Sequence, residues 1–159
     1  MLVSLAFGAD DEIKGDFALV TPADQVATIR EQAVDAAAKS VTWVFRDVAK
    51  SRLAPLATAC PAYSMTADAT QLIAHCAGEP KRTFTVGYDG DWVNDKGETV
   101  HAKVGHTTSV WKVDISTDQG GKRWSYQRKD ADHFSLTQEV YSGYLSVPLK
   151  YTLDYARVP

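Results

Sequence analysis

Apolar residues in the first third of the chain recur at steps of three or four, which is the period of one face of an α-helix. Thr21 and Pro22 stand at the start of this series, where threonine can cap a helix and proline suits its first turn. Pro55 follows the series, and the residue before a proline avoids helical geometry. The pattern predicts a long N-terminal helix over residues 21–51, with an apolar face of Val26, Ile29, Ala33, Ala37, Val41, Val44 and Val48.

A second, shorter periodic segment runs from Thr70 to Cys76 and is followed by Gly78, a residue that commonly ends helices. Asp68 precedes this segment, and aspartate is a preferred residue at the start of a helix. We therefore expect a short second helix at this place in the chain.

From Lys81 onward the apolar period changes to strict alternation, which is typical of half-buried strands. The alternation is clearest near the end of the chain, at Leu149, Tyr151, Leu153 and Tyr155. Turn residues separate the alternating runs, at Asp89-Gly90, Asn94–Gly97, Asp118–Gly121 and Lys129–Asp132. Gly105-His106 indicates a bulge or a further turn.

No helical segment interrupts these runs, so the strands should form an antiparallel sheet with helices segregated from it. The predicted fold is α+β, with a long N-terminal helix and a short second helix packed on a curved antiparallel β-meander of five to seven strands over residues 81–158. A chain of 159 residues can bury one sizeable core, so we expect a single domain over residues 1–159.

Composition and charge narrow the range of partners. The chain is 45% apolar and 23% charged, as is usual for globular proteins. Its formal net charge is −3, and no run of Lys or Arg exceeds a pair, which argues against a nucleic-acid partner. No stretch reaches the roughly 20 apolar residues of a membrane span, so no transmembrane segment is predicted.

The start of the chain and its two cysteines bear on the cellular compartment. Residues 1–12 are similar to the tail of a secretory signal, with Ala6-Phe7-Gly8 as a cleavage site, and an ordinary first strand is the alternative. Cys60 and Cys76 favour a disulfide over two buried free thiols. Together these features predict a periplasmic or extracellular protein, with a cytoplasmic location as the alternative.

Polar clusters in the sequence lack the spacing that a specific chemistry requires. The acidic segment Asp89–Glu98 departs from a calcium-binding loop at its fifth and sixth positions, so we interpret it as consecutive turns. The four histidines show no metal-binding pattern, and no nucleophile elbow or phosphate-binding loop is present. We predict no metal site, no cofactor and no catalytic residue.

Aromatic residues concentrate in the second half of the chain, and such side chains line ligand cavities and protein interfaces. The candidate ligand-binding residues are Trp92, Trp111, Trp124, Tyr126, Tyr151 and Tyr155. The alternative is that these rings simply form a core against the alanine-rich helix.

The leading functional hypothesis is a small, exported, non-enzymatic binding protein whose sheet takes an apolar small molecule or presents a surface to a protein partner. A second hypothesis is an enzyme with His101, His133 or Asp114 as a general base inside a cavity between helix and sheet. A third is an inhibitor or immunity-type protein that acts through the exposed loop Asp89–Glu98. The sequence carries no indication of the oligomeric state.

Overall fold

A computed structural model describes residues 12–159, in which most of the chain forms one antiparallel sheet. The ten strands of these residues are β1 Ile13–Leu19, β2 Ala62–Ala67, β3 Gln71–Cys76, β4 Arg82–Thr85, β5 Asp89–Val93, β6 Thr99–Thr107, β7 Val110–Thr117, β8 Gly120–Asp130, β9 His133–Ser142 and β10 Leu149–Arg157. Their order in the sheet is β4-β3-β2-β1-β10-β9-β8-β7-β6-β5. Almost every strand therefore pairs with its neighbour in sequence, and β1 with β10 joins the two halves.

The sheet curls until its two edge strands face each other across a seam. The edge strands are β4 and β5, and no backbone ladder joins them in the described residues. Their side chains nevertheless meet, because the rings of Phe84 and Trp92 have centroids 5.5 Å apart. The Gly87 N–H also donates to the Val104 carbonyl at 2.9 Å, which holds the connection between the edge strands against β6. The result is a barrel with one incompletely closed side.

Two helices follow β1, of which the first lies against the sheet and the second packs on the first. They are α1 Ala23–Lys39 and α2 Arg46–Leu53, flanked by single 3₁₀ turns at Trp43–Phe45 and Ala54–Leu56. Helix α1 turns its small residues inward onto β10, with Val26, Ala33, Val34, Ala37 and Ala38 buried. No helix of residues 12–159 has both the length and the hydropathy to span a membrane.

The predicted long helix over residues 21–51 is wrong, because the helix ends at Lys39. Ser40 terminates it: the hydroxyl and the backbone N–H of Ser40 both donate to the Ala37 carbonyl, at 2.6 and 3.1 Å. Val44 and Val48, which continue the apolar period, are 57% and 50% exposed. The periodicity thus extends past the point at which packing supports a helix.

The predicted second helix is also wrong, because Thr70–Cys76 contributes strand β3. Leu72, Ala74 and Cys76 alternate on the buried face, a period that a short apolar run shares with a helix. The Asp68 carboxylate accepts the N–H groups of Thr70 and Gln71 at 2.8 and 3.0 Å. These are the hydrogen bonds of a helix cap, but here they close the turn between β2 and β3.

The predicted meander of five to seven strands over residues 81–158 is likewise too small, since residues 12–159 contribute ten strands to the sheet, three of which precede residue 81. The predicted turn at Asp89-Gly90 lies inside β5, and β6 passes through Gly105-His106 without a bulge. The chain instead turns at Thr108, whose φ is 53°. The strand at Leu149–Tyr155 is confirmed, with its alternate residues buried. The predicted signal remnant or first strand lies outside the described residues, apart from Glu12.

Much of the barrel interior is a filled core. Its largest fully buried side chains include Trp111, Phe134, Leu136, Leu153 and Tyr155. The predicted disulfide is present: Cys60 and Cys76 are bonded, with Cα atoms 5.9 Å apart, so the loop before β2 is tied to the end of β3. The candidate site lies towards the other end of the barrel, where the strands enclose a larger space.

Candidate functional site

A cavity of about 600 Å³ opens at the end of the barrel where β5, β7 and β9 terminate. Its apolar wall comes from residues that point to the barrel interior from five adjacent strands, namely Trp92, Val100, Ile115, Trp124 and Val140. This volume lies within the range of about 300–1,000 Å³ that is usual for small-molecule sites. The cavity can therefore hold an apolar guest of ordinary ligand size.

Turns between strands form the rim of the cavity, and they hold themselves in place through local hydrogen bonds. The Asn94 side-chain oxygen accepts the N–H groups of Lys96 and Glu98, at 3.0 and 2.9 Å. This confirms that the second half of the acidic segment Asp89–Glu98 is a turn. Tyr144, in the turn between β9 and β10, also lines the rim and is 82% exposed.

Two cationic side chains, Arg82 and Lys122, line the same cavity. Arg82 pairs with Ala74 across the sheet and so lies on the same interior face as buried Phe84. Its guanidinium carbon sits 4.8 Å from the centre of the Trp124 ring, a cation–π distance. Lys122 lies beside Trp124 on the interior face of β8. Desolvation, followed by the positive charge of Arg82, lowers the pKa of Lys122.

A smaller cavity of about 150 Å³ adjoins the large one. The two share Arg82, Lys122, Trp124 and Val140 as lining residues, so these four side chains form the partition between them. The smaller cavity is also lined by residues of the segment that follows α2, namely Pro55, Leu56, Thr58 and Cys60. Glu79 also lines this smaller space.

The structure divides the predicted ligand-binding residues into two groups. Trp92 and Trp124 line the large cavity. The remaining four belong to the filled core, namely Trp111, Tyr126, Tyr151 and Tyr155. For these four, the alternative interpretation as core packing describes their position.

The polar atoms of the buried aromatic residues are used within the protein. The Trp111 indole N–H donates to the Asp68 carbonyl at 2.8 Å, and the Tyr155 hydroxyl donates to the Cys60 carbonyl at 2.8 Å. The Tyr151 hydroxyl donates to the Thr58 carbonyl. These hydrogen bonds satisfy groups that would otherwise be costly to bury.

Ring stacking fills the core end of the barrel. Phe134 is its centre: its ring stacks on Tyr155 at 5.0 Å with an interplanar angle of 7°, and meets Phe17 edge-on at 5.0 Å. Tyr63 packs edge-on against Tyr155 and Tyr126, at 5.2 and 6.3 Å. Burial raises the pKa of all three tyrosines above the ordinary value of 10.0.

The residues considered as general bases lie outside the cavity. His101 lies on the outer face of β6 and pairs with Asp89 at 2.6 Å, while His133 pairs with Asp130 at 2.8 Å. Asp114 accepts from Arg123 and from the Tyr141 hydroxyl on the outer face of the sheet, at 2.8 and 2.5 Å. Within residues 12–159, no three side chains of the metal-binding types lie close enough together to hold an ion.

Sequence reasoning missed the cationic pair and most of the apolar wall. A signal for the pair was nevertheless present: Arg82 stands two residues before Phe84, and Lys122 stands two residues before Trp124. In a strand, residues two apart share a face, so each charge falls on an apolar face where charges are uncommon. A charged residue on the buried side of an alternating strand is thus a marker of an interior site.

The cavity, the seam and the helix pair can be compared with known proteins. No family model and no curated protein matches the chain. Solved structures do: a REP1-NXSQ fatty acid transporter has a TM-score of 0.52 over 92% of this chain and 96% of its own, at 17% identity. The chain shares the fold of that protein.

Further structures with this fold carry similar descriptions. A fatty acid-binding protein from brain tissue of Drosophila melanogaster has a TM-score of 0.51 at 14% identity, over 91% of this chain and 98% of its own. A Schistosoma mansoni fatty acid binding protein in complex with arachidonic acid has a TM-score of 0.50 at 16% identity, over 92% and 96%. The match to these folds agrees with the single ten-stranded sheet of residues 12–159 and not with the predicted α+β meander.

Proposed function

We propose that this protein binds an apolar small molecule non-enzymatically in the 600 Å³ cavity at the open end of the barrel. The observation that supports this most strongly is the contrast inside one barrel. The core end is packed with buried rings, whereas the open end keeps an apolar-walled space of ligand size. The solved structures of the same fold include fatty acid-binding proteins, which is consistent with such a role.

Trp92 and Trp124 are the proposed ligand contacts. Both rings lie in the cavity wall, so a bound apolar molecule would remove them from water and change their fluorescence. Indole rings supply a large contact area with little conformational freedom to lose. Binding would thus depend more on these two rings than on the aromatic residues of the core.

A direct test titrates the protein with Nile red, an uncharged hydrophobic dye, and follows dye fluorescence. Trp124→Ala should weaken dye binding by roughly tenfold or more, because the substitution removes the ring that forms the cavity wall and partition. Trp43→Ala is the matched control, because Trp43 is 75% exposed and lies away from the cavity lining. An equal loss in both variants, or no dye binding by the original protein, would contradict the proposal.

We also propose that the protein is exported and acts as a periplasmic or extracellular carrier. The support is the disulfide between Cys60 and Cys76, since such bonds persist in oxidising surroundings. Cell fractionation of the source organism, with thiol labelling of the denatured unreduced protein, tests this. A reduced protein in the cytoplasmic fraction would contradict it.

A further inference from the structure

We propose that Lys122 forms a reversible covalent imine with an apolar aldehyde that enters the cavity at the open end of the barrel. This inference rests on the proposed function, because the same apolar wall would hold the body of the ligand. It adds the chemical class of the ligand, a long-chain aldehyde, and the atom to which that ligand would bond, the Lys122 Nζ. The position of this lysine, its lack of an acidic partner and the charges around it lead to the proposal.

Lys122 reaches the cavity from the interior face of β8. Its neighbours on the adjacent strands are Ile115 and Val140, which belong to the apolar wall, and Trp124 lies two residues further along the same face. The lysine also lines the smaller cavity, so it stands at the partition between the two spaces. Its side chain is exposed. A ligand in the large cavity would therefore meet an accessible amine beside an apolar wall.

Lys122 has no carboxylate partner within the part of the chain that the structure describes, residues 12–159. Lys50 shows the opposite arrangement, because its Nζ lies 2.8 Å from the Asp35 carboxylate. The hydrogen bond to Asp35 raises the pKa of Lys50 and so holds it in the protonated, unreactive form. Lys122 lacks that restraint.

The surroundings of Lys122 favour its neutral form, which is the form that attacks a carbonyl group. Desolvation, followed by the positive charges of Arg82 and Lys96, lowers the pKa of Lys122. The Arg82 guanidinium is positioned by its contact with the Trp124 ring, 4.8 Å from the ring centre. A desolvated site and a neighbouring cation are the two conditions that activate a lysine towards carbonyl compounds.

The proposed step balances without an oxidant or a reductant. The lone pair of the neutral Lys122 Nζ forms a C–N bond to the aldehyde carbon, and one amine proton passes to the carbonyl oxygen to give a carbinolamine. That oxygen leaves as water with the remaining amine proton, and a C=N bond is formed; hydrolysis reverses the step. A neutral imine would also remove the repulsion between two positive charges at Lys122 and Arg82.

The charged side chains that line the large cavity nearly cancel, which favours an uncharged ligand. The cationic ones are Arg82, Lys96 and Lys122, and the acidic ones are Asp95 and Glu98. This balance gives an ionised ligand little electrostatic advantage. The apolar wall would instead bind the chain of an aldehyde and hold its carbonyl carbon near the amine, so that the reaction becomes effectively unimolecular.

The experiment incubates the full chain at neutral pH with decanal and sodium cyanoborohydride, a reagent that converts an imine into a stable amine. Intact mass spectrometry should show one decyl group per chain. Peptide mapping should place it on Lys122, with a yield at least roughly tenfold above that at Lys96 or any other lysine. Propanal, which carries the same aldehyde on a short chain, should label Lys122 far less selectively. An excess of Nile red should slow the reaction with decanal, because the dye occupies the cavity.

Two lysine variants test which residue reacts. Lys122→Arg keeps the positive charge but removes the amine, so it should lower the yield of the decyl adduct by at least roughly tenfold. Lys112→Arg is the matched control, because Lys112 is an exposed lysine on the outer face of neighbouring strand β7, and it should react as the original protein does. Circular dichroism checks that both variants are folded, and the mapping of the original protein does not depend on either variant.

The outcomes separate this inference from the proposed function. Nile red binding without a decyl adduct, or with the adduct spread over the exposed lysines, would overturn the inference and leave the proposed function intact. An undiminished yield in Lys122→Arg, or equal selectivity with propanal and decanal, would also overturn it. Absence of both dye binding and the adduct would overturn the proposed function together with the inference.

Discussion

The two ends of the barrel interior share strands β7, β8 and β9 but differ in how they are packed. At the core end, Phe134 and Tyr155 stack on each other, and large side chains from β1, β7 and β10 fill the remaining space. At the open end, Trp92 and Trp124 stand in the wall of a cavity of about 600 Å³. The difference shows that aromatic content alone does not locate a binding site, because rings serve stability at one end and leave room for a guest at the other.

Polar groups follow the same division. The buried hydroxyls and the Trp111 indole of the core end each donate to a backbone carbonyl. The cations of the open end, Arg82 and Lys122, have no such internal acceptor among residues 12–159. A polar group that makes its hydrogen bond within the protein stabilises the fold, whereas a polar group on the interior face without such a bond is available to a ligand. We therefore expect changes at the two ends to lower the free energy of unfolding by different amounts.

The largest effect is expected at the core end, with Phe134→Ala. Phe134 is 1% exposed and contacts Phe17, Tyr63 and Tyr155, so its loss would leave a cavity that these rings cannot collapse to fill. We expect the free energy of unfolding to fall by about 3–5 kcal/mol. Chemical denaturation followed by circular dichroism measures it. Trp124→Ala serves for comparison, and if it destabilised the protein as much, the division between the two ends would be wrong.

The next effect concerns the disulfide, which ties the segment lining the smaller cavity to β3. Reduction of the bond between Cys60 and Cys76, which are 16 residues apart, should lower the free energy of unfolding by about 3 kcal/mol. Because neither cysteine lines the large cavity, ligand selectivity should be unchanged in the folded fraction. Thermal unfolding with and without dithiothreitol measures the change. The stability of the Cys60→Ser, Cys76→Ser double variant should not change when the reductant is added. A change would mean that the reductant acts on stability by a route other than this disulfide.

The smallest effect is a loss of stability at alkaline pH, which comes from the buried tyrosines of the core end and is absent at neutral pH. Desolvation raises the pKa of Tyr63, Tyr126 and Tyr155 above the ordinary 10.0, so the folded state holds these phenolic protons more tightly than the unfolded chain does. This contribution to stability is fully present below about pH 10 and is lost as the pH rises above that value. Ultraviolet absorbance and circular dichroism should show these tyrosines ionising only as the protein unfolds. Ionisation of all tyrosines before unfolding would contradict the account.

The sequence predicted the elements whose patterns are long and regular. Strand β10 alternates over Leu149–Tyr155, and the structure buries one face of it. Thr70–Cys76 was misassigned because a short apolar run fits both periods and because the Asp68 carboxylate makes the same hydrogen bonds in a strand turn as at a helix start. The break at Ser40 was missed because Val44 and Val48 continue the helical period while remaining exposed.

The candidate site could be predicted only in part, since a cavity depends on which strands become neighbours. Trp92 and Trp124 were identified from their residue type, but nothing local distinguishes them from Trp111, which lies in the core. Arg82 and Lys122 are 40 positions apart in the chain. Their convergence requires the curling of ten strands, which the predicted meander of five to seven strands did not include.

The most direct test of the contrast between the two ends is the stability of two matched variants, Val140→Phe and Val113→Phe. Val140 lines both cavities, whereas Val113 is 1% exposed within the core. Chemical denaturation should show Val140→Phe within about 0.5 kcal/mol of the original protein, since the added ring enters empty space, with Nile red binding lost. It should show Val113→Phe destabilised by about 1–3 kcal/mol, because that position is already full. Equal destabilisation of the two variants would contradict the account, because it would mean that the barrel is packed at both ends.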